Sequence, residues 1–419
     1  MATPAQKRVN VAVSRVIPPV LLGAVVYASY AVTKPLCIDY LIHPLPSYDR
    51  APRVGAGAAI LAVYYVLLIP MVVTYLRLLY YVAWEPGYLP LGAERIQQDA
   101  KDAQDSESEK PRRRKSSSRK PQEPEKNTQP DADTERGLDT TAGGKAFQLD
   151  PLGLERFYTK DVFVCQPDGR PPYCSSCCQF KTDRAHHCRE VDRCVRKMDH
   201  FCPWVGGVVS ETSFKFFVQF VAYTFVFCLF ALIVSAYFTA ELRHHLGEIN
   251  AHWCICIGLS GLFGVFTLGM TLSSLQLAMF NLTTIENLNR RSAVWTLAIR
   301  VPDHLLDQLW ASESPWAPNF RMPQTSEPST KERHVFAILQ TQPGDNPFNL
   351  GSPLANLQQV MGYSVADWLL PLKQSPCADH SSLESAFALG PVVARLKQEA
   401  GLVAPSPNGS GCGSATPTG

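Results

Sequence analysis

The sequence lacks several features that would narrow its function directly. Its 419 residues hold 39 Lys and Arg against 37 Asp and Glu, and the resulting formal charge of +2 says nothing about partners. It lacks the disulfide framework of a small secreted protein, because its 13 cysteines cluster at metal-ligand spacing instead of spreading along a short chain. No clear small-residue cleavage site follows the first apolar run, which argues against a signal peptide.

Charged side chains are also missing from four long stretches. These are residues 16–32, 56–76, 216–238 and 253–280, and a membrane-spanning helix needs about 20 apolar residues. Gln219 is the one strongly polar side chain in the third stretch. We therefore predict four transmembrane helices. A transporter is disfavoured, because no charge lies within the spans to mark an ion path.

The segments outside these spans differ in composition. Residues 93–147 are rich in charged residues, Ser and Pro and lack apolar periodicity, so we predict a disordered linker. Within it, Lys110–Lys120 has seven basic residues in eleven, which suits a nuclear signal, an anionic-lipid patch or solvated charge. In a membrane protein we set the nuclear interpretation aside and expect no nucleic acid partner. Residues 1–15 are predicted to be a tail, 281–374 a C-terminal region and 375–419 a disordered tail.

Six of the cysteines fall between Cys174 and Cys202, together with three histidines. Cys174 and Cys177 have the spacing of a zinc-knuckle pair, and His187 and Cys194 could complete a tetrahedral site of the kind that Zn²⁺ prefers. Zinc would fix a loop-rich segment that has little apolar material of its own. Buried or free thiols are the alternative. The stretch lacks the eight ligands in four pairs that a cross-braced ubiquitin ligase needs.

A second chemistry is indicated immediately downstream. Asp199, His200 and Cys202 place a carboxylate, an imidazole and a thiol within four residues. A neighbouring His can take the proton of a thiol, and an Asp can hold that His in the required tautomer. The alternative is structural, because His200 and Cys202 could instead be a further pair of zinc ligands.

Residues 174–217 resemble the cysteine-rich domain of the DHHC-type protein S-acyltransferases, or palmitoyltransferases. The matching text is C-x2-C-x9-H-C-x5-C-x4-D-H-x-C-P-W and then Phe-Lys-Phe-Phe. The resemblance is to the fungal subfamily whose signature reads DHFC. It implies that Cys202 takes an acyl group from palmitoyl-CoA and passes it to a substrate cysteine, with His200 as base and Asp199 as its orienter. The implied fold is an α-helical polytopic membrane protein with four transmembrane helices. A zinc-stabilised, cytosolic cysteine-rich domain, residues 165–213, lies between helices two and three.

The sequence departs from the family at a second zinc site. Cys188 is present, but the three other ligand positions hold Val191, Phe201 and Val208. We predict that these apolar side chains form a plug in place of the metal, and that the protein binds one zinc and is active. The alternative is a catalytically inactive, membrane-anchored zinc-binding scaffold.

Two short motifs follow the fourth span. The first, Thr283-Thr284-Ile285-Glu286, resembles the TTxE motif of the family. We predict that one of its hydroxyl groups hydrogen-bonds Asp199, although the same text is also typical of a helix capping box. Asn356 resembles the central asparagine of a C-terminal family motif and is predicted to tie that region to the helix bundle.

The chemistry also predicts partners and orientation. Free thiols and acyl-CoA belong to the cytosol, so we expect the cysteine-rich domain and both termini there. Expected partners are the bilayer, palmitoyl-CoA and proteins with membrane-proximal cysteines. Cys165 and Cys178 match no ligand position. The candidate cations for the CoA phosphates are Arg184, Arg189, Arg193, Arg196 and Lys197.

Overall fold

A computed structural model describes most of the chain. The described residues are 4–48, 50–108, 153–306 and 334–403. The basic run Lys110–Lys120 and residues 404–419 lie outside them, so the predictions for those segments have no structural counterpart here.

Among the described residues, four helices are long and apolar enough to cross a membrane, which confirms the predicted fold class. They are α1, Pro4–Ala31, continued by a π-helix over Val32–Ile42; α2, Val54–Trp84; α5, Phe214–Leu246; and α6, Ala251–Met279. Each is longer than the uncharged run from which it was predicted.

The bundle has an apolar interior and a polar clasp at the end remote from the cysteine-rich domain. Tyr64 and Trp253 are among its fully buried side chains. At the far end of α5, Glu241 accepts a hydrogen bond from the Tyr40 hydroxyl at 2.6 Å and another from Arg53 at 2.9 Å. This clasp ties the π-helix and the loop that follows it to α5.

Residues 93–108 are the described part of the predicted linker 93–147, and they form a helix instead of the predicted disorder; residues 109–147 lie outside the described chain. Helix α3 spans Ala93–Ser108. Arg95 fixes its start, because the guanidinium donates to Asp99 at 2.8 Å, to Asp192 at 2.9 Å and to the carbonyl of Ser176 at 2.8 Å. Good helix formers and these ion pairs hold a helix that has no apolar stripe.

Short antiparallel hairpins build the cysteine-rich domain, which follows the single-turn helix α4, Glu155–Tyr158. Strand β1, Val162–Val164, is not part of these hairpins. It pairs with β8, Thr296–Arg300, and β8 pairs in turn with β9, Phe336–Gln340. The three hairpins are β2–β3, Tyr173–Cys174 with Gln179–Phe180; β4–β5, His186–Cys188 with Arg193–Val195; and β6–β7, His200–Cys202 with Gly207–Val209.

The C-terminal region packs back onto both the domain and the bundle. Among its described helices are α7, Thr284–Leu288; α8, Pro353–Met361; α9, Val365–Leu369; and α10, Pro391–Glu399. Asn356 is buried, and its amide donates at 2.9 Å to the carbonyl of Met279 at the end of α6, which confirms the predicted tie.

Residues 375–403 differ from the predicted disorder, because they are ordered and partly buried. Phe387, Val393 and Leu396 lie in apolar clusters, and His380 contacts Glu211 of the cysteine-rich domain at 2.8 Å. The packing of these few apolar residues was not predicted, because the segment is otherwise rich in Pro, Ser and Gly.

Candidate active site and metal centre

Two hairpins bring the four predicted metal ligands together. Cys174 and Cys177 lie in and after β2, while His187 and Cys194 face each other across the β4–β5 pair. The donor atoms of all four lie within 4.8 Å of one another. The His187 Nδ1 atom is 3.4 Å from the Cys177 sulfur and 3.6 Å from the Cys174 sulfur.

This donor set fits zinc. Three thiols and one imidazole nitrogen are a ligand mix of structural zinc sites. The other ring nitrogen of His187 is 3.4 Å from a carboxylate oxygen of Asp192, the kind of outer contact that orients a metal-binding histidine. In the parts of the chain that the structure describes, this is the one cluster of its kind, and it includes neither Cys165 nor Cys178.

The opposite face of the same strands is apolar. Cys188 follows His187 in β4, and its side chain therefore points to the other face of the hairpin. It is buried with Val208, and the partly buried Val191 and Phe201 pack against them. Burial raises the pKa of the Cys188 thiol to about 11, so the thiol is held neutral. The packing predicted for the apolar plug is confirmed.

Strand β6 separates the reactive side chains from this plug. His200 and Cys202 alternate with Phe201 along the strand, so the imidazole and thiol share one face while Phe201 lies on the other. Phe201 is directly opposite Val208 in the β6–β7 pair. One short strand thus carries the candidate catalytic side chains on one face and a residue of the apolar plug on the other.

Asp199 is buried, and its carboxylate accepts three hydrogen bonds. Its carboxylate accepts from His200 Nδ1 at 2.6 Å, from the Thr284 hydroxyl at 2.8 Å and from the Thr284 backbone N–H at 2.9 Å. The predicted hydroxyl contact is therefore confirmed, and Thr284 supplies it. The capping-box interpretation also holds, because the neighbouring Thr283 caps α7 with Glu286.

The electrostatics of His200 follow from this arrangement. Burial lowers the pKa of the imidazole, but the hydrogen bond to Asp199 and the proximity of the Asp199 and Cys202 side chains outweigh burial and raise that pKa to about 9. The second ring nitrogen, Nε2, is buried and makes no hydrogen bond within the described residues. His200 is thus a strong proton acceptor beside the Cys202 thiol, and Phe217 packs edge-on against its ring at 5.1 Å.

Arg184, which was predicted as a candidate cation for the CoA phosphates, is buried and holds α7 in place. The Arg184 guanidinium pairs with Glu286 at 2.7 and 2.8 Å and donates at 2.9 Å to the carbonyl of Asn281. It also lies over the rings of Phe348 and Phe387, at 4.7 and 5.3 Å. Arg184 is therefore a structural residue and is not available to bind CoA phosphates. Its positive φ of 60° was not visible in the sequence.

Three other candidate cations are also occupied. Arg193 donates to the carbonyl of Leu89, Arg196 lies 3.6 Å from Glu211, and Lys197 is buried over the Phe387 ring. Arg189 is exposed. A separate cavity of about 350 Å³ is lined by several polar and charged side chains that the sequence did not single out, among them Lys181, His186, Asn289 and Arg290.

The fold and site define a polytopic membrane protein that carries a Cys₃His metal centre beside an Asp-His-Cys cluster. The sequence model of the DHHC palmitoyltransferase family matches residues 168–291. Palmitoyltransferase pfa5 of Aspergillus fumigatus is 63% identical over 417 residues, which cover 95% of this chain and 92% of that protein. The chain belongs to the DHHC palmitoyltransferase family, and it is a protein palmitoyltransferase.

Other relatives extend this likeness with decreasing coverage. Palmitoyltransferase pfa5 of Emericella nidulans is 55% identical over 96% of this chain and 88% of its own length. Human palmitoyltransferase ZDHHC15 is 28% identical over 52% of each chain. The four membrane-spanning helices fit the family, and so does the cysteine-rich domain between the second and third of them, α2 and α5.

Proposed function

We propose that the protein transfers a palmitoyl group from palmitoyl-CoA through an acyl-enzyme at Cys202, with His200 as base and Asp199 as its orienter. The observation that carries this proposal is the chain of contacts from Thr284 through Asp199 to His200, which ends beside the Cys202 thiol.

The first half-reaction follows from the pKa of His200. Because its pKa is raised to about 9, the His200 imidazole holds at neutral pH the proton that it takes from Cys202, and the pair reacts as thiolate and imidazolium. His200 takes the Cys202 proton, and the thiolate attacks the carbonyl carbon of the thioester. The bond between that carbon and the CoA sulfur breaks, and CoA leaves as a thiol with the proton from His200.

The second half-reaction repeats this chemistry in reverse. The sulfur of a substrate cysteine loses its proton to His200 and attacks the acyl-enzyme carbonyl. Cys202 leaves and recovers the proton. Asp199 keeps the imidazole in one tautomer throughout, and Thr284 keeps the Asp199 carboxylate in place.

The surroundings of Cys202 support a long acyl donor. Cys202 is buried in an apolar cluster with residues of α2, α5 and α6, including Leu78, Val218 and Leu277. Burying an acyl chain gains about 0.8 kcal/mol per CH₂, so an apolar site where the helices meet the domain suits this substrate. The candidate cations for the CoA phosphates are Arg189, which is exposed, and Lys181 and Arg290, which line the 350 Å³ cavity.

Three further assignments complete the proposal. The catalytic unit is residues 165–213, with both termini and this domain in the cytosol, where acyl-CoA and reduced thiols occur. The Cys₃His centre holds one structural zinc, and the apolar plug takes the role of a second. The DHFC text at 199–202 is a working variant of the family signature.

The test is acyl loading of the purified full-length protein in detergent micelles with labelled palmitoyl-CoA. Wild-type protein should acquire label that neutral hydroxylamine releases, and Cys202→Ser should acquire none. Cys188→Ser is the matched control, because it removes a nearby buried thiol from the opposite face of the hairpins. Folded, zinc-loaded wild-type protein without Cys202-dependent label would overturn the proposal and favour a scaffold.

A further inference from the structure

One segment after α8 exposes apolar side chains although it does not cross the membrane. We define it as the apolar segment, Tyr363–Leu372. Five of its large apolar side chains are half or more exposed: Tyr363 65%, Val365 69%, Leu369 56%, Leu370 50% and Leu372 63%. Water-facing surfaces rarely carry so many contiguous apolar groups without a partner that covers them.

The contacts of the segment locate it beside the membrane-spanning helices. Tyr223 of α5 donates from its hydroxyl to the carbonyl of Leu369 at 2.6 Å. Tyr223 lies about 12 Å along the helix beyond Lys215, the last charged residue before the uncharged run, at about 1.5 Å per residue. On the other side, Arg77 of α2 donates to the carbonyl of Leu372 at 3.0 Å. The segment is therefore level with the start of the apolar run of α5 and with the end of the apolar run of α2.

The backbone of the segment is satisfied in the way that lipid requires. A short helix leaves its last carbonyl groups without partners, and in hydrocarbon no water can supply them. Gln219 of α5 donates to the carbonyls of Trp368 at 2.9 Å and Asp367 at 3.3 Å, and Tyr223 supplies that of Leu369. The single strongly polar side chain that the sequence placed in the third span thus serves the end of α9.

The charges of the segment are equally restrained. Asp367 accepts from the Ser364 hydroxyl at 2.8 Å and lies 3.3 Å from Lys373. Lys373 follows the apolar residues directly, and its side chain is 77% exposed. A lysine at the edge of an apolar surface can keep its ammonium group among lipid phosphates while its stem covers apolar atoms.

We propose that the apolar segment is inserted in the bilayer leaflet on the Cys202 side, where it lies against α2 and α5 without crossing. Phospholipid acyl chains cover its exposed side chains, which are continuous with the lipid-facing surface of the two helices. Trp368 of the segment and Met361 just before it pack in the apolar cluster that contains Cys202. The segment therefore fixes the height of Cys202 relative to the membrane surface.

The test measures depth and does not use activity. A fluorescent coumarin amino acid is introduced at Leu370 in the full-length chain, which is reconstituted in nanodiscs of phosphatidylcholine brominated on its acyl chains. The matched control carries the same probe at Leu383, which is also a leucine and is 69% exposed. The probe at Leu370 should lose most of its emission to bromine and little to aqueous iodide, and the probe at Leu383 should do the opposite. Iodide quenching at both positions would overturn the proposal.

A second variant separates insertion from mere proximity to lipid. Gln219→Leu leaves the carbonyls of Asp367 and Trp368 without donors, so the probe at Leu370 should become more accessible to iodide. Thr224→Val is the control, because its hydroxyl bonds only a carbonyl of its own helix, that of Phe220. If bromine quenching at Leu370 is the same in Gln219→Leu as in Thr224→Val, the role assigned to Gln219 is wrong.

Discussion

The cysteine-rich domain has two halves that are built alike and held together differently. One half gathers Cys174, Cys177, His187 and Cys194 into a metal centre, and the other gathers Cys188, Val191, Phe201 and Val208 into an apolar plug. Adjacent residues serve opposite halves, as His187 and Cys188 do in β4.

The difference shows that a hairpin must be held to its neighbours by further contacts. Either a bound metal ion or packed apolar side chains can supply them. Phe201 and Val208 are cross-strand partners, so that two side chains that meet directly can replace two ligands that would meet through an ion. The reactive face of β6 is left unchanged by the exchange. The two halves should therefore respond in opposite ways to metal removal and to loss of side-chain volume.

The largest effect is expected in the metal half. Cys177→Ser removes a ligand whose sulfur lies 3.4 Å from His187 Nδ1, and structural zinc contributes on the order of 10 kcal/mol to folding. The variant should lose its zinc and its folded cysteine-rich domain. The measurement is zinc content by mass spectrometry together with thermal unfolding.

Cys178→Ser is its control, since the sulfur of Cys178 hydrogen-bonds the carbonyl of Ser175 at 3.3 Å and does not belong to the ligand cluster. This variant should retain zinc and unfold as wild type does. Wild-type protein should contain one zinc per chain, and a measured value of two would contradict the comparison of the halves.

The plug half should lose stability without losing metal. Phe201→Ala leaves a cavity beside Cys188 and Val208, and such truncations cost about 3 kcal/mol or more. Zinc content should stay at the wild-type value while the unfolding temperature falls. Phe201→Leu keeps much of the volume and should fall less. Equal unfolding temperatures for wild type and Phe201→Ala would mean that the plug does not hold this half together.

The sequence predicted those elements whose residues act in fixed local spacing. The four spans, the clustering of Cys174, Cys177, His187 and Cys194, and a threonine contact to Asp199 all depend on runs and motifs of residues close together in sequence. The tie through Asn356 was also predicted, because its position matches a family motif.

The remaining features depend on tertiary packing. Arg184 was a candidate cation for the CoA phosphates, but its contacts with α7 and with the rings of two phenylalanines bury it. Residues 375–403 looked loose because their anchors, such as Phe387, are few and lie far apart in sequence. The purpose of Gln219 depended on a segment about 150 residues away along the chain.

The catalytic face between the two halves should make stability depend on pH. The folded-state pKa of His200, about 9, lies above the ordinary value of 6.5, so the protonated imidazole stabilises the fold. This contribution is complete below pH 6.5 and is lost as the pH rises through 9. It amounts to at most about 3 kcal/mol at about 1.4 kcal/mol per pKa unit.

The measurement compares wild type with His200→Gln in thermal unfolding from pH 6 to pH 9.5. The advantage of wild type should shrink steadily as the pH rises. A difference that is constant over this range would show that His200 does not carry a raised pKa in the folded protein.

The smallest effect tests how the catalytic face is anchored. Thr284→Val removes the hydroxyl that donates to Asp199 at 2.8 Å but keeps the backbone N–H bond at 2.9 Å. A hydrogen bond to a charged group contributes about 1.5–3 kcal/mol, so acyl loading should slow by about tenfold or more while zinc content stays unchanged. Because Thr284 acts through Asp199, the pH at which loading is half-maximal should also move. Thr284→Ser restores the hydroxyl and should recover both the rate and the pH profile. Recovery of neither by serine, with the fold intact, would place the effect of the valine in packing around α7 instead of in the carboxylate that orients His200.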